Sequence, residues 1–404
     1  MLKKIWNEIV YWLQLLLLPV YFFSCFVPRS KKIWVFGSSF GRRFSDNPKY
    51  FYLYLRQYHQ EQVLAVWISK NREAVDFLRK NGLRAYFLYS IPGIWYSLRG
   101  KVYLYDNYSK DICFALSAGA VKINLWHGIP LKKIQKDNIF DKFRNPDSLW
   151  QWLYAIPRRM SDEKPSHYVL TTSEFLKPIF SSAFHTGKVL ICGYPRNEFL
   201  ITDHIKDISE YKDMEFAGKL RKLVQGQKLV FYMPTFRETE NKFFDCVSIE
   251  EFNDFLELNQ MVFCIKLHPK SKLQNRFQQI NAGRILLAEA QADPYPILKM
   301  ADILVTDYSS IYFDFLLTEK PVIFFPYDYK EYIENSRELY FEYNKFATGQ
   351  KAYSQKELEQ ALVRARNCAK EYQDEAGAIC NLVYDHTVRE ASETLYSMIK
   401  KILK

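Results

Sequence analysis

The residues best suited to chemistry fall at the ends of short apolar runs. Asn124 to Lys133 reads NLWHGIPLKK, with His127 just past an apolar stretch. Histidine is the usual general base near neutral pH, and the following Gly128 lets backbone approach a ligand closely. The other reading of this segment is a packed turn, but WHG is an odd choice for packing alone. Phe263 to Pro269 reads FCIKLHP, so Lys266 and His268 close another buried run. A cation and a donor there suit a diphosphate whose charge grows as a bond breaks. A surface lysine beside a packed histidine would read the same way. In FYMPTFRE, Pro234 stops a run, Thr235 offers a hydroxyl and Arg237 a forked phosphate donor; an ordinary loop with a solvated arginine is the alternative. DILVTDYSSIYFDFLL places Ser309 and Ser310 where a helix begins, so they suit either a phosphate cradle or a plain N-cap. GYPRN puts Arg196 after a further run, as a weaker candidate phosphate clamp. The histidines at 59, 167, 185, 204 and 386 lack comparable surroundings and read as structural or surface residues.

These segments need a frame that delivers strand ends to one place. From residue 33 the chain alternates short β-branched or aromatic runs with helical stretches. The runs are 33–37, 64–69, 101–106, 121–126 and 188–193, then 229–233, 261–267, 284–288, 302–306 and 321–325. Continuous apolar runs of this kind indicate parallel strands covered on both faces. Ligands of such sheets collect beyond the carboxyl ends of the strands, where the unusual residues lie. The expectation is an α/β protein of two Rossmann-like, doubly wound domains facing a cleft. The domains are expected at 31–215 (holding His127) and 216–404, with a charged, turn-poor boundary near 202–226.

Composition narrows the partners. The 404 residues are 48% hydrophobic and 25% charged, with a formal net charge of +11. That charge favours anions, either phosphate-bearing substrates or an anionic membrane surface. No helix-turn-helix, finger or RNP-like signature accompanies it, so nucleic acid is not an expected partner. Seven cysteines without a CxxC suit a reducing cytoplasm rather than a disulfide framework or structural zinc. No DxD-type signature stands out, so neither metal nor cofactor is required. Residues 1–30 hold an apolar segment, Ile9 to Val27, with Lys3 and Lys4 before it and Arg29, Lys31 and Lys32 after. It lacks a signal-peptide cleavage pattern and is borderline in length for a span. Its Tyr11, Trp12 and Tyr21 favour a segment lying in the membrane interface; a spanning helix and a buried helix are the alternatives.

Taken in order, NLWHGIPLKK, GYPRN, YMPTFRE, KLHP and TDYSSIYFDFLLTEKPVIFFPYDYKEY closely resemble the CDP-glycerol glycerophosphotransferase family, which includes teichoic-acid primases and polymerases. The match extends to IWVFGSSFGRRFSDNPKY and to RELYFEY at 337–343, covering roughly residues 30 to 350. Each motif is weak alone, whereas the ordered set is specific. The resemblance implies a GT-B-like architecture with the CDP donor held mainly by the C-terminal half. It implies that His127 acts as base or orients phosphate, and that Gly128, Ile129, Pro130 and Leu131 border the diphosphate. Arg196, Pro234, Thr235, Lys266, Leu267 and His268 would line the donor site, with Ser309, Ser310 and Asp314 holding further contacts. His268 would join in stabilising the departing charge.

The implied reaction is transfer of glycerol phosphate from CDP-glycerol to a hydroxyl of a lipid-linked saccharide or polyol-phosphate polymer, at the cytoplasmic face of the cell membrane. A CDP-ribitol or other polyol donor, a UDP- or GDP-sugar glycosyltransferase, and an inactive scaffold of a polymer-synthesis complex are the alternatives. The lack of a further domain in this sequence leans toward single addition or short products. Two positions depart from the family pattern. Ile129 stands where threonine is usual, and Glu338 where glycine is usual; either could mark a different polyol or acceptor.

Overall fold

The computed structural model describes residues 2–162, 166–206, 211–236, 242–280, 282–329, 338–367 and 373–404. The chain divides into two compact units. The first comprises Met1–His127, Ile134–Ile208 and Tyr384–Lys404; the second comprises Gly128–Lys133 and Ser209–Val383.

The first unit is built on β1 (Ser30–Phe36), β2 (Leu64–Ser69), β3 (Ala85–Phe87), β4 (Gly100–Tyr105), β5 (Val121–Asn124), β6 (Tyr168–Thr171) and β7 (Val189–Ile191). They form one parallel sheet in the order β3-β2-β1-β4-β5-β6-β7. The second unit holds β8 (Lys228–Tyr232), β9 (Met261–Ile265), β10 (Ile285–Leu287), β11 (Ile303–Thr306), β12 (Val322–Phe324) and β13 (Gln350–Lys351). These are again parallel, in the order β10-β9-β8-β11-β12-β13. Both orders reverse direction beside the first strand, so each sheet has a switch point where adjacent connections diverge and leave a crevice. The switch points lie between β1 and β4 and between β8 and β11.

The apolar runs account for the sheets. Trp34, Val35 and Phe36 in β1 and Met261 to Ile265 in β9 are buried throughout. Helices cover the faces with amphipathic stripes. In the helix Arg72–Lys80, for instance, Ala74, Val75 and Leu78 face inward and the Asn71 side chain accepts Glu73 N–H at the N-terminus.

The structure differs from the sequence-based division in two ways. The tail Tyr384–Lys404 packs in the first unit, although it reads as part of the second half. Its helix Ala391–Ile402 covers β1 through Tyr396 and Trp34, and Ser392 N–H donates to Glu198 at 2.7 Å. Gly193 permits this approach, because a Cβ there would stand 2.6 Å from the Val388 Cα. Conversely, Gly128–Lys133 joins the second unit. Leu131 O accepts Tyr340 N–H at 2.9 Å, Lys133 N–H donates to Glu338 O at 2.8 Å, and Lys132 bridges Leu339 antiparallel.

Residues preceding β1 form a helix Leu2–Leu13, a tight turn Gln14–Leu16 and a helix Leu17–Ser24. Among the described residues no helix is long and apolar enough to cross a membrane. The second helix is fixed to the first unit: the Tyr21 ring stacks on Phe114 at 4.6 Å, and Ser24 Oγ accepts Ala118 N–H. Arg29 is not the solvated basic flank that its position in the sequence suggests. Its guanidinium turns inward and donates to the carbonyls of Ala118, Ser97, Gly100 and Leu116.

Candidate active site

In the first unit, His127 stands just beyond β5 on a turn fixed from several sides. Asn124 Oδ1 accepts Trp126 N–H at 2.8 Å, a side-chain turn of the kind asparagine favours. Trp126 then takes a left-handed backbone, φ 53°, which a bulky residue holds only when its surroundings demand it. Asn47 supplies that demand: its Nδ2 donates to Leu125 O at 3.1 Å and to Trp126 O at 2.9 Å. The His127 Nδ1–H donates to the Asp106 carbonyl at 3.0 Å, since a carbonyl can only accept. The proton is thereby fixed on Nδ1, and Nε2 carries the lone pair. His127 is exposed to solvent, yet the protein around it disfavours its charge. Desolvation by the protein mass around the ring is the main cause holding its pKa below the usual imidazole value, with Asp46 acting in the opposite direction.

Around His127 lies a network of carboxylates that the motifs alone do not reveal. Asp106 and Asp111 close the switch point of the first sheet. Asp106 accepts Ser39 N–H, and Asp111 accepts the N–H groups of Phe40, Asn107 and Tyr108. Burial first, then the neighbouring Asp111 and Asp46 charges, push the Asp106 carboxyl well above the usual carboxylate range. Asp111 is also raised, chiefly by burial. Arg196, read from the sequence as a phosphate clamp, is buried in this network. Its Nη1 donates to Asp46 Oδ1 at 2.9 Å, and its own N–H donates to Asn47 Oδ1 at 3.2 Å.

In the second unit, the residues after β8, β9 and β11 converge on the other switch point. Thr235 N–H donates to both oxygens of Asp307, at 2.9 and 3.1 Å, and so pins the Pro234–Thr235 turn. Lys266 is 5% exposed and donates from Nζ to Ala290 O at 3.2 Å. His268 is exposed, and its Nδ1 accepts Lys270 N–H at 3.2 Å. The ring proton therefore sits on Nε2, which makes that atom a hydrogen-bond donor. Tyr232, Pro234, Thr235, Phe236, Leu267, His268 and Tyr327 help line a narrow hollow of about 20 Å³, with aromatic faces in its wall and His268 at its edge.

Ser309 and Ser310 are half-buried ahead of the helix Ile311–Leu316, and Ser310 makes no side-chain capping bond. Asp314, implied at the donor, lies within that helix. It is 1% exposed and accepts a 2.7 Å hydrogen bond from Tyr295. Ile129 and Leu131 are likewise buried, so their side chains pack rather than present. Total burial suits the aliphatic Ile129 where the family pattern has a hydroxyl. Glu338 forms an ion pair with Lys133. Arg237 and Arg337 lie outside the described residues. Among the described residues no cluster of histidine, cysteine and carboxylate side chains could hold a metal ion.

Sequence reasoning passed over Asp46, Asn47, Asp106, Asp111 and Asp307. The available signal was position: Asp106 and Asp307 each follow a buried strand directly, beside the switch point of its sheet.

Comparison with known proteins places this arrangement. The chain is 27% identical to the teichoic acid poly(glycerol phosphate) polymerase of Bacillus spizizenii, over 84% of this chain and 85% of that one. It is 28% identical to the teichoic acid glycerol-phosphate transferase of Staphylococcus aureus, over 85% and 86%. A structure of the wall teichoic acid polymerase TagF shares the fold, with a TM-score of 0.70 and 20% identity over 100% of both chains. The family model for CDP-glycerol:poly(glycerophosphate) glycerophosphotransferases matches residues 19–401, so the chain belongs to that enzyme family.

Proposed function

We propose that this chain transfers glycerol phosphate from CDP-glycerol to a hydroxyl of a lipid-linked or polymeric cell-surface glycan. The observation that carries the reading is the fixed tautomer of His127, whose Nε2 lone pair is free to take a proton. The acceptor oxygen attacks the glycerol-side phosphorus and forms the new P–O bond. Its proton passes to His127 Nε2, and the bond to the bridging oxygen breaks, so that CMP leaves with the electron pair. In the second unit, the diphosphate is assigned to His268 Nε2–H and the turn pinned by Asp307, with Lys266 adding positive charge. The rings of Phe236 and Tyr327 beside them offer faces on which the base stacks. Support for the donor class comes from the family match and from the two relatives named for glycerol phosphate. Incubation with CDP-glycerol, CDP-ribitol and UDP-sugars tests it: CMP release is expected with CDP-glycerol. Preferential turnover of a UDP-sugar would overturn the reading.

The same reading puts the acceptor side at the cytoplasmic face of the membrane, and surface exposure supports it. The helices before β1 leave Trp6, Ile9, Leu13, Leu16, Phe22 and Phe23 exposed, and the helix Leu149–Asp162 adds Leu149 and Trp150. Tyr11 stacks on Tyr154 at 5.1 Å and donates to its carbonyl, so the helices Leu2–Leu13 and Leu149–Asp162 pack together. Exposed Lys31 and Lys32 follow in the chain. Aromatic and aliphatic exposure beside basic residues suits attachment in the plane of an anionic bilayer. Flotation with vesicles containing phosphatidylglycerol is expected to carry the protein, and Trp6→Ser/Phe23→Ser/Trp150→Ser to weaken it. Equal recovery without vesicles would refute the attachment.

A further inference from the structure

The turn Ser45-Asp46-Asn47 opens the helix Asp46–Tyr58, far in sequence from the imidazole it serves. Asp46 adopts a left-handed backbone, φ 61°, which a non-glycine residue holds only when its neighbours fix it. Two bonds do so: Asp46 Oδ1 accepts Asn47 N–H at 2.7 Å and the Arg196 guanidinium at 2.9 Å. Asn47 is wholly buried and satisfied on both ends of its amide. The nitrogen holds the carbonyls of Leu125 and Trp126, the two residues before His127, and the oxygen accepts Arg196 N–H. One dipeptide therefore joins three elements: its own helix, the turn after β5, and the helix Pro195–Ile201.

We propose that Asp46 and Asn47 are positioning residues for His127. Asn47 fixes the backbone that carries the imidazole, and the Asp46 carboxylate, held by Arg196, is the counter-charge for the imidazolium formed during transfer. The inference rests on the reading of His127 as proton acceptor. The charged and titratable groups acting on His127 are Asp46, Arg196 and the Asp106–Asp111 pair, and among these Asp46 acts most strongly. Asp106 contributes its backbone carbonyl, and its own carboxyl is pushed toward the neutral form. Asp46 is thus the carboxylate left to compensate a proton on Nε2, while the buried Arg196 sets its direction.

The test is titration of the His127 ring in the full-length protein by NMR with ¹³C-labelled histidine. The resonance is identified by its loss in His127→Gln. Asp46→Asn is expected to lower the imidazole pKa by about half a unit to one unit, because it removes an opposite charge and leaves Arg196 uncompensated. Adding Arg196→Gln to Asp46→Asn is expected to restore most of the shift. Asn47→Ala is expected to reduce kcat about tenfold or more with the donor KM little changed, as misorientation does. An unmoved titration in folded Asp46→Asn overturns the proposal. Where that variant does not fold, Arg196→Lys serves, since it keeps the charge but loses the fork that aims Asp46. It is expected to move the same resonance, and a wild-type titration overturns the proposal there too. The two readings separate cleanly. If His127→Gln releases CMP at the wild-type rate, the proton-acceptor reading falls and this inference with it. An unmoved titration beside an inactive His127→Gln removes this inference alone.

Discussion

Asp307 receives the backbone N–H of Thr235 through both carboxylate oxygens, and this contact closes the switch point of the second sheet. The carboxylate also accepts Tyr308 N–H. One buried side chain therefore shapes the Pro234–Thr235 turn and the start of the serine segment together. Asp307→Ala leaves buried amide donors unmet, which costs about 1–3 kcal/mol for each such group. The expected result is weaker CDP-glycerol binding by calorimetry, about tenfold or more, with a lower melting temperature. Unchanged donor affinity would show that the turn is fixed by other means.

The environment of His127 sets a pH dependence. A proton acceptor must be neutral in the free enzyme, and desolvation by the surrounding protein lowers its pKa below the 6.5 of a free imidazole. The acidic limb of kcat/KM is therefore expected below 6.5, with activity lost as pH falls through the lowered value. His127→Asn is expected to reduce kcat by about 10²–10⁴-fold, the usual contribution of general base catalysis. It should also remove that limb from any residual rate. A limb that survives the substitution would assign it to another group.

Arg29 is expected to dominate the stability of the segment before β1. Four carbonyls share its guanidinium, at 2.9, 3.1, 2.7 and 2.6 Å. Arg29→Ala removes charge-assisted bonds and leaves acceptors unmet, so a loss of about 3 kcal/mol is expected in urea unfolding. Lys31→Ala, at an exposed position, is the control and should stay within about 0.5 kcal/mol of the parent. Equal effects at both sites would refute the assignment.

Glu338 should matter far less than its departure from the family pattern suggests. Its pairing with Lys133 is half-open to water, with side-chain exposures of 34% for Lys133 and 51% for Glu338. Exposed pairs contribute about 0–1 kcal/mol. The backbone bridge between Lys132 and Leu339 does not depend on the Glu338 side chain. Glu338→Gly is expected to leave donor KM within about twofold. A large rise would instead give Glu338 a direct part in substrate choice.

The long buried strands were legible because burial on both faces leaves a continuous apolar run. LAVWIS at 64–69 coincides with β2, and DILVT at 302–306 contains β11. The edge strands β3 and β13 were not legible, since three residues (Ala85–Phe87) and two (Gln350–Lys351) carry too little pattern. His127, Lys266 and His268 stood out because their types are rare at strand ends, and the structure sets them just past β5 and β9. Asn47 and Asp46 could not, because their role comes from partners about 80 and 150 residues away in the chain. Arg196 shows the limit most clearly: its side chain suits phosphate, but its burial against Asp46 is a fact of folding that no local motif encodes. The same holds for the tail, whose helix reads alike whichever sheet it covers.

That tail gives the chain a particular order of assembly. The first unit takes in Met1–His127 yet is closed by Tyr384–Lys404, which is translated only after the whole of the second unit. Until then the Trp34 face of β1 and the close-packed surface at Gly193 lack their cover. The bulk of the second unit, a continuous stretch, is translated before the first can be sealed. Nascent chains thus carry an open apolar surface through most of synthesis, the condition under which chaperones engage and aggregation competes. Stop codons or tags placed within Tyr384–Lys404 bear on the histidine-bearing unit, however distant from it they look on a linear map.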